Sequence, residues 1–135
     1  MREIKFRVWN KTKQAMEYPV IFCIPQGKEV GGWEEIIPMQ FTGLKDSYGK
    51  DVFEGDICQY KTGEKKGGIY SDEYIFTGFV RYDDAGFEIG NHNGYGGEWE
   101  SLSFIIGSYN KMATNFKVIG NIYENTELIN IWNKK

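Results

Sequence analysis

Short runs in which apolar and polar residues alternate, each closed by a turn built on Gly, Asn or Asp, dominate this chain. Ile4-Lys5-Phe6-Arg7-Val8-Trp9 is the first, with Ile4, Phe6 and Val8 on one face. Glu73 to Tyr82 is the longest, with Ile75, Thr77, Phe79 and Arg81 on one face and Tyr74, Phe76, Val80 and Tyr82 on the other. A period of two is the mark of a half-buried strand. Composition agrees. Ile, Val, Thr and the aromatics make 49 of the 135 residues, whereas Leu and Ala together make 6, which favours sheet over helix. A chain of 135 residues is one domain, or one domain with an arm.

Between the runs lie clear breaks. Asn10 to Gln14 is a polar turn, after which Ala15 to Tyr18 pairs back on the first strand. Gln26 to Gly32 reads as a loop, and Trp33 to Phe41 is ambiguous because Pro38 forbids a long helix and disfavours a central strand. Thr42 to Lys50 is a turn-rich connector, in which Asp46 caps its own backbone and Gly49 is free to take a positive φ. Gly55 supplies a bend, Asp56 takes backbone amides there, and Ile57 to Lys61 is a strand. Asp83-Asp84-Ala85-Gly86 is a hairpin turn leading to Phe87-Glu88-Ile89. Trp99 to Ile106 is read as a strand, Gly107 to Lys117 as a connector with room for a helical turn, and Phe116 to Tyr123 as the last strand, with a bulge or close approach at Gly120. Five short strands in the second half are the economy of a small barrel. The expected fold is therefore mainly β: an SH3-like barrel or roll over 46–135, with an N-terminal β-hairpin arm over 1–45.

Three ordered segments resemble the YopX family of phage and prophage proteins. They are Arg2 to Trp9; Met39 to Asp46 continuing through Tyr48 to Ile57; and Val118-Ile119-Gly120-Asn121-Ile122-Tyr123-Glu124-Asn125. They fall at the beginning, middle and end, so the resemblance spans nearly the whole chain. Thr126 stands where the family pattern usually has Pro, and Tyr48-Gly49 where Asn-Gly is common; both are local turn changes. The resemblance implies a β-rich phage-encoded protein and supplies no catalytic residues.

The residues themselves offer little reactive chemistry. Cys23 and Cys58 stand among apolar neighbours with no second Cys or His at zinc spacing, so they read as reduced strand cysteines and no metal or cofactor is expected. His92 is the one histidine and reads as a solvated loop residue. Asp83-Asp84 reads as turn chemistry, Glu34-Glu35 has no converging partner in sequence, and the Gly90 to Gly97 stretch has no Lys and no following helix, unlike a phosphate loop. The best basic-aromatic set is Lys61, Lys65 and Lys66 with Arg81 and Tyr82, which suits single-stranded nucleic acid stacked on rings beside a positive groove. A net charge of −3 and pI near 5.2 weigh against coating a duplex.

The resulting expectation is a non-enzymatic phage or prophage accessory protein in the bacterial cytoplasm. It would act by binding a host or phage protein or by forming a homo-oligomer, with single-stranded nucleic-acid binding as the alternative. No apolar run is long enough to span a membrane as a helix. The 22 aromatics supply rings to bury between subunits, and the strand Ile4 to Trp9 is the expected donor to a neighbour's sheet edge.

Overall fold

A computed structural model describes residues 4–20, 36–62, 65–66, 69–70, 74–83, 86–91, 99–106 and 113–130. Cys23, Glu34-Glu35, Asp84 and His92 lie outside them.

The chain is mainly β, as expected, in two principal antiparallel sheets. The first contains β1 (Phe6–Asn10), β2 (Ala15–Val20), β3 (Ile36–Lys45) and β4 (Asp51–Phe53), in the order β2-β1-β3-β4. The second contains β5 (Asp56–Thr62), β8 (Tyr74–Asp83), β9 (Gly86–Gly90), β10 (Glu100–Ser101) and β11 (Ala113–Asn121), in the order β10-β9-β8-β5-β11, and curls into half a barrel. The two-residue strands β6 (Lys65–Lys66) and β7 (Ile69–Tyr70) form a small ribbon between β5 and β8. Helices α1 (Leu102–Ile106) and α2 (Thr126–Asn130) are one turn each.

The predicted alternation along β8 places Val80 inward, opposite Ile89, and leaves Ile75 on the outer face. The concave side of the half-barrel is filled by Cys58, Tyr60, Val80, Ile89, Phe116 and Val118, by Val52 from β4, and by Leu102 and Ile105 from α1. Tyr60 lies between Phe116, stacked at 5.4 Å, and Phe76, tilted at 5.1 Å. Each fully buried aliphatic or aromatic side chain stabilises by roughly 1.5–3 kcal/mol.

The first four residues of the expected connector, Thr42 to Lys45, instead continue β3, and three further expectations need correction. Trp99 to Ile106 is not a strand throughout. It pairs with β9 only at Glu100 and Ser101, then turns as α1, which tucks Leu102 and Ile105 into the core. A straight strand over the same residues would have carried one of these two away from the concave face, because their separation is odd. The last strand begins at Ala113 rather than Phe116, with a register shift between Thr114 and Lys117 where Asn115 takes φ 52°.

The third correction concerns β1. It is paired on both sides, to β2 and to β3, so it has no free edge to lend to a neighbour. Arg7, Val8, Trp9 and Asn10 are all buried. Arg7 and Trp9 share one face, where Trp9 stacks on Tyr123 at 5.6 Å and Arg7 finds a buried acid on the half-barrel side.

Pro38 sits inside β3 without breaking it. Gln40 N and O both turn away from β1, bonding to Glu54 Oε1 and Glu54 N, while Phe41 N donates towards β1, to Lys5 O. Pro38, two residues before Gln40, shares its outward direction. At that level β4 has not yet begun to pair, so the missing N–H costs no ladder bond.

Gly120 occupies the predicted irregularity, with a register shift between Val118 and Gly120. A Cβ there would overlap the Asn125 side chain, which is held in place by Asn121 N and by its own backbone bond to Asn121 O. Gly120→Ala is expected to cost about 1–3 kcal/mol as this turn is forced open, measured by chemical denaturation against the parent.

Candidate functional site

Gly55 turns the chain between β4 and β5 at φ 83° and brings Asp56 beneath β1. Asp56 Oδ2 accepts from Phe53 N at 2.8 Å, as the sequence led us to expect. Its Oδ1 accepts from Arg7 Nη2 at 2.7 Å, an ion pair with side-chain exposures of 2% and 3%. Arg7 Nη2 also donates to Glu54 O, and Nη1 to the Tyr18 hydroxyl, both at 3.0 Å. The guanidinium lies 4.8 Å from the Phe53 ring centroid, a cation–π contact. Burial pushes the Asp56 carboxyl above its ordinary range, opposed by the Arg7 charge and the Phe53 amide. This pair links the first sheet to the half-barrel across 49 positions of sequence.

Sequence reading missed Arg7, since a basic residue in an alternating strand looks solvated. A signal existed nonetheless: Arg7 and Asp56 both lie in segments that carried the family resemblance. Beside the pair is a pocket of about 300 Å³. Arg7 and Phe53 form its buried part, Phe6, Lys5 and Asp51 its half-buried sides, and Tyr18 and Lys50 its exposed mouth. Asp51 is ion-paired to Lys5 and to Lys45. Burial raises its carboxyl, but the bonds from Lys5 and Lys45 prevail and hold it below its ordinary value.

Asp46 works as predicted and further. Oδ1 accepts from Tyr48 N and Lys50 N, while Oδ2 reaches across to Val118 N. Ser47 adds a reciprocal pair with Phe116: its N donates to Phe116 O, and its Oγ accepts from Phe116 N. The connector thereby covers the outer edge of β11, which would otherwise be open to pairing. Asn121 Oδ1 accepts from Tyr123 N and Glu124 N and so organises the closing turn.

Of the basic-aromatic set, the described side chains of Lys61, Arg81 and Tyr82 do not converge. Lys61 is exposed on β5 opposite Ile75. Arg81 shares that outer face but lies six residues further along β8, about 20 Å at the ordinary strand rise. Its guanidinium sits 3.6 Å from the Trp99 ring centroid and is ion-paired with Asp83 and Glu88. Tyr82 points to the opposite face, edge-on to Phe87. Lys65 and Lys66 lie on the small ribbon, with side chains outside the described set.

Cys58 is fully buried, and burial, followed by the charges of Asp56 and Asp46, pushes its thiol well above the ordinary value, which disfavours the nucleophilic thiolate. Among the described residues no cluster of three or more His, Cys, Asp or Glu is placed to hold a metal ion. No helix among them is long and apolar enough to cross a membrane.

A family profile described as YopX protein matches residues 5–130. The chain belongs to the YopX family. Arg7, Asp46, Asp56 and Asn121 all fall within the span matched to YopX proteins. Among solved structures, the crystal structure of protein EF1440 from Enterococcus faecalis is similar to this YopX chain, with 27% identity, a TM-score of 0.53, and 96% of this chain and 99% of that one covered. No curated protein matches.

Proposed function

We propose that this YopX protein is a non-enzymatic accessory protein of a phage or prophage, acting in the bacterial cytoplasm through binding and self-association. The observation that carries this reading is where the buried polar side chains are spent. Arg7, Asp46, Asp56 and Asn121 direct most of their polar atoms to backbone groups, to one another and to adjacent side chains, which is architecture. Membership of the YopX family supports the phage setting, as the sequence resemblance implies it, and the similarity to a bacterial protein is consistent with a bacterial host.

Self-association is best supported on the outer face of the half-barrel. Ile75 is 61% exposed there, flanked by Lys61 and by the hydrogen-bonded Gln59–Thr77 pair. Light scattering at micromolar concentration is expected to give a multiple of 15.6 kDa. Ile75→Glu should return the mass to one chain while changing stability by no more than about 0.5 kcal/mol, since the site is a surface one. A strict monomer at all concentrations contradicts this reading. Single-stranded nucleic acid is the second reading, favoured by the exposure of Lys61 on this same face. It predicts salt-sensitive binding of labelled DNA that weakens in Lys61→Glu.

A further inference from the structure

We propose that the pocket beside Arg7 binds a small aromatic carboxylate. Its volume, about 300 Å³, sits at the lower end of the ~300–1,000 Å³ typical of small-ligand sites. Its chemistry has two halves. Phe6 and Tyr18 offer ring surface, and Tyr18 remains 56% exposed although its hydroxyl is fixed by Arg7. The polar half is cationic. Arg7 lines the pocket, its side chain is 97% buried (3% exposed), and its Nε–H has no acceptor. A buried donor left unpaired is unfavourable, and a small turn of the guanidinium that brings this shielded Nε–H to a carboxylate oxygen removes the deficit.

The charges favour an anion. Asp56 is taken by Arg7, Asp51 by Lys5 and Lys45, and Glu54 turns its carboxylate to Gln40 N. Lys50, at the mouth, makes no ion pair among the described residues. Arg7 and Lys50 therefore present two donors to one anionic group, while the ring of the ligand lies against Phe6 and Tyr18. A charge-assisted bond of this kind is about twice as strong as a neutral one.

Calorimetric titration of the full chain with 1-naphthoate tests the proposal, with 1-naphthalenemethanol as the neutral counterpart and thymidine monophosphate as a phosphate-bearing one. The expected result is saturable 1:1 binding of naphthoate, with the alcohol and the nucleotide each weaker by about tenfold or more. Lys50→Glu should weaken naphthoate binding at least as much in a variant that stays folded, with at most a small drop in melting temperature, because the Lys50 side chain makes no hydrogen bond among the described residues and only its charge reaches Asp56. Absence of saturable naphthoate binding at millimolar concentration overturns the proposal. So does equal binding of the alcohol, preferred binding of the nucleotide, or indifference to Lys50→Glu in a folded variant. The pocket is remote in sequence from Ile75, and Ile75→Glu should leave naphthoate affinity unchanged.

Discussion

Arg7→Met is expected to lower stability by about 3–5 kcal/mol, a large share of the ~5–15 kcal/mol that holds a domain of this kind folded. The loss comes less from the missing attraction than from what stays behind. Asp56 remains buried beneath β1 with one oxygen on Phe53 N and the other facing no cation. Glu54 O and the Tyr18 hydroxyl lose their donor as well. Chemical denaturation measures the deficit, and its pH dependence identifies the cause. Burial already holds the Asp56 carboxyl above 3.8, with Arg7 opposing the rise. Removing Arg7 lifts it further. A carboxyl raised in the folded state binds a proton that the unfolded chain does not, so its stabilising effect is complete below pH 3.8 and is lost as pH rises through the folded value. The deficit of Arg7→Met relative to the parent should therefore shrink as pH falls from neutrality towards 4. Asp51, held below its ordinary value by Lys5 and Lys45, has the opposite sign in both proteins and cancels in the comparison. A deficit that is constant with pH would mean that Arg7 acts through packing rather than through Asp56.

Asp46→Ala should cost about 4 kcal/mol, since three backbone donors lose a charged acceptor and such bonds contribute about 1.5–3 kcal/mol each, less what water restores. Tyr48 N and Lys50 N lie in an exposed turn and recover part of their loss from solvent. Val118 N belongs to a strand whose side chain is in the core, and its position between β5 and the connector keeps water away. Asp46→Asn separates the two contributions. It keeps one acceptor oxygen for the turn and offers an amide to Val118 N, so it should cost less than Ala yet remain well below the parent. Hydrogen exchange gives the local readout: Val118 N should lose protection in Asp46→Ala before the amides of β8 do. Equal stability of Asp46→Ala and the parent would show that the connector does not hold β11.

How much of this was legible follows from the range of each interaction. The hairpin at Asn10 to Gln14, the Asp46 turn, the Gly55 bend and the bulge at Gly120 are local. Each is dictated by residues within four or five positions, and each was read correctly. The division of β8 into an inner and an outer face was also readable, because period two is a local property. The errors came where a distant partner decides. Nothing near Arg7 announces that Asp56 lies beneath it, and nothing near Ile4 to Trp9 shows that both edges of this strand are taken. Likewise, the apolar residues of Leu102 to Ile106 fit a strand until the concave side of the half-barrel requires Leu102 and Ile105 on one side. Pro38 argued correctly against a strand paired on both sides at that point. It left open a strand that exchanges partners along its length, which is how β3 uses it.

A structural role for the polar residues of the family segments is tested most directly by a double-mutant cycle on Arg7→Met and Asp56→Asn, read by denaturant unfolding. If the two side chains are partners, the double variant should be more stable than the sum of the single losses allows, with a coupling of about 2 kcal/mol or more. Losses that add within about 0.5 kcal/mol would contradict it, and would leave Arg7 and Asp56 available for a task other than holding the two sheets together.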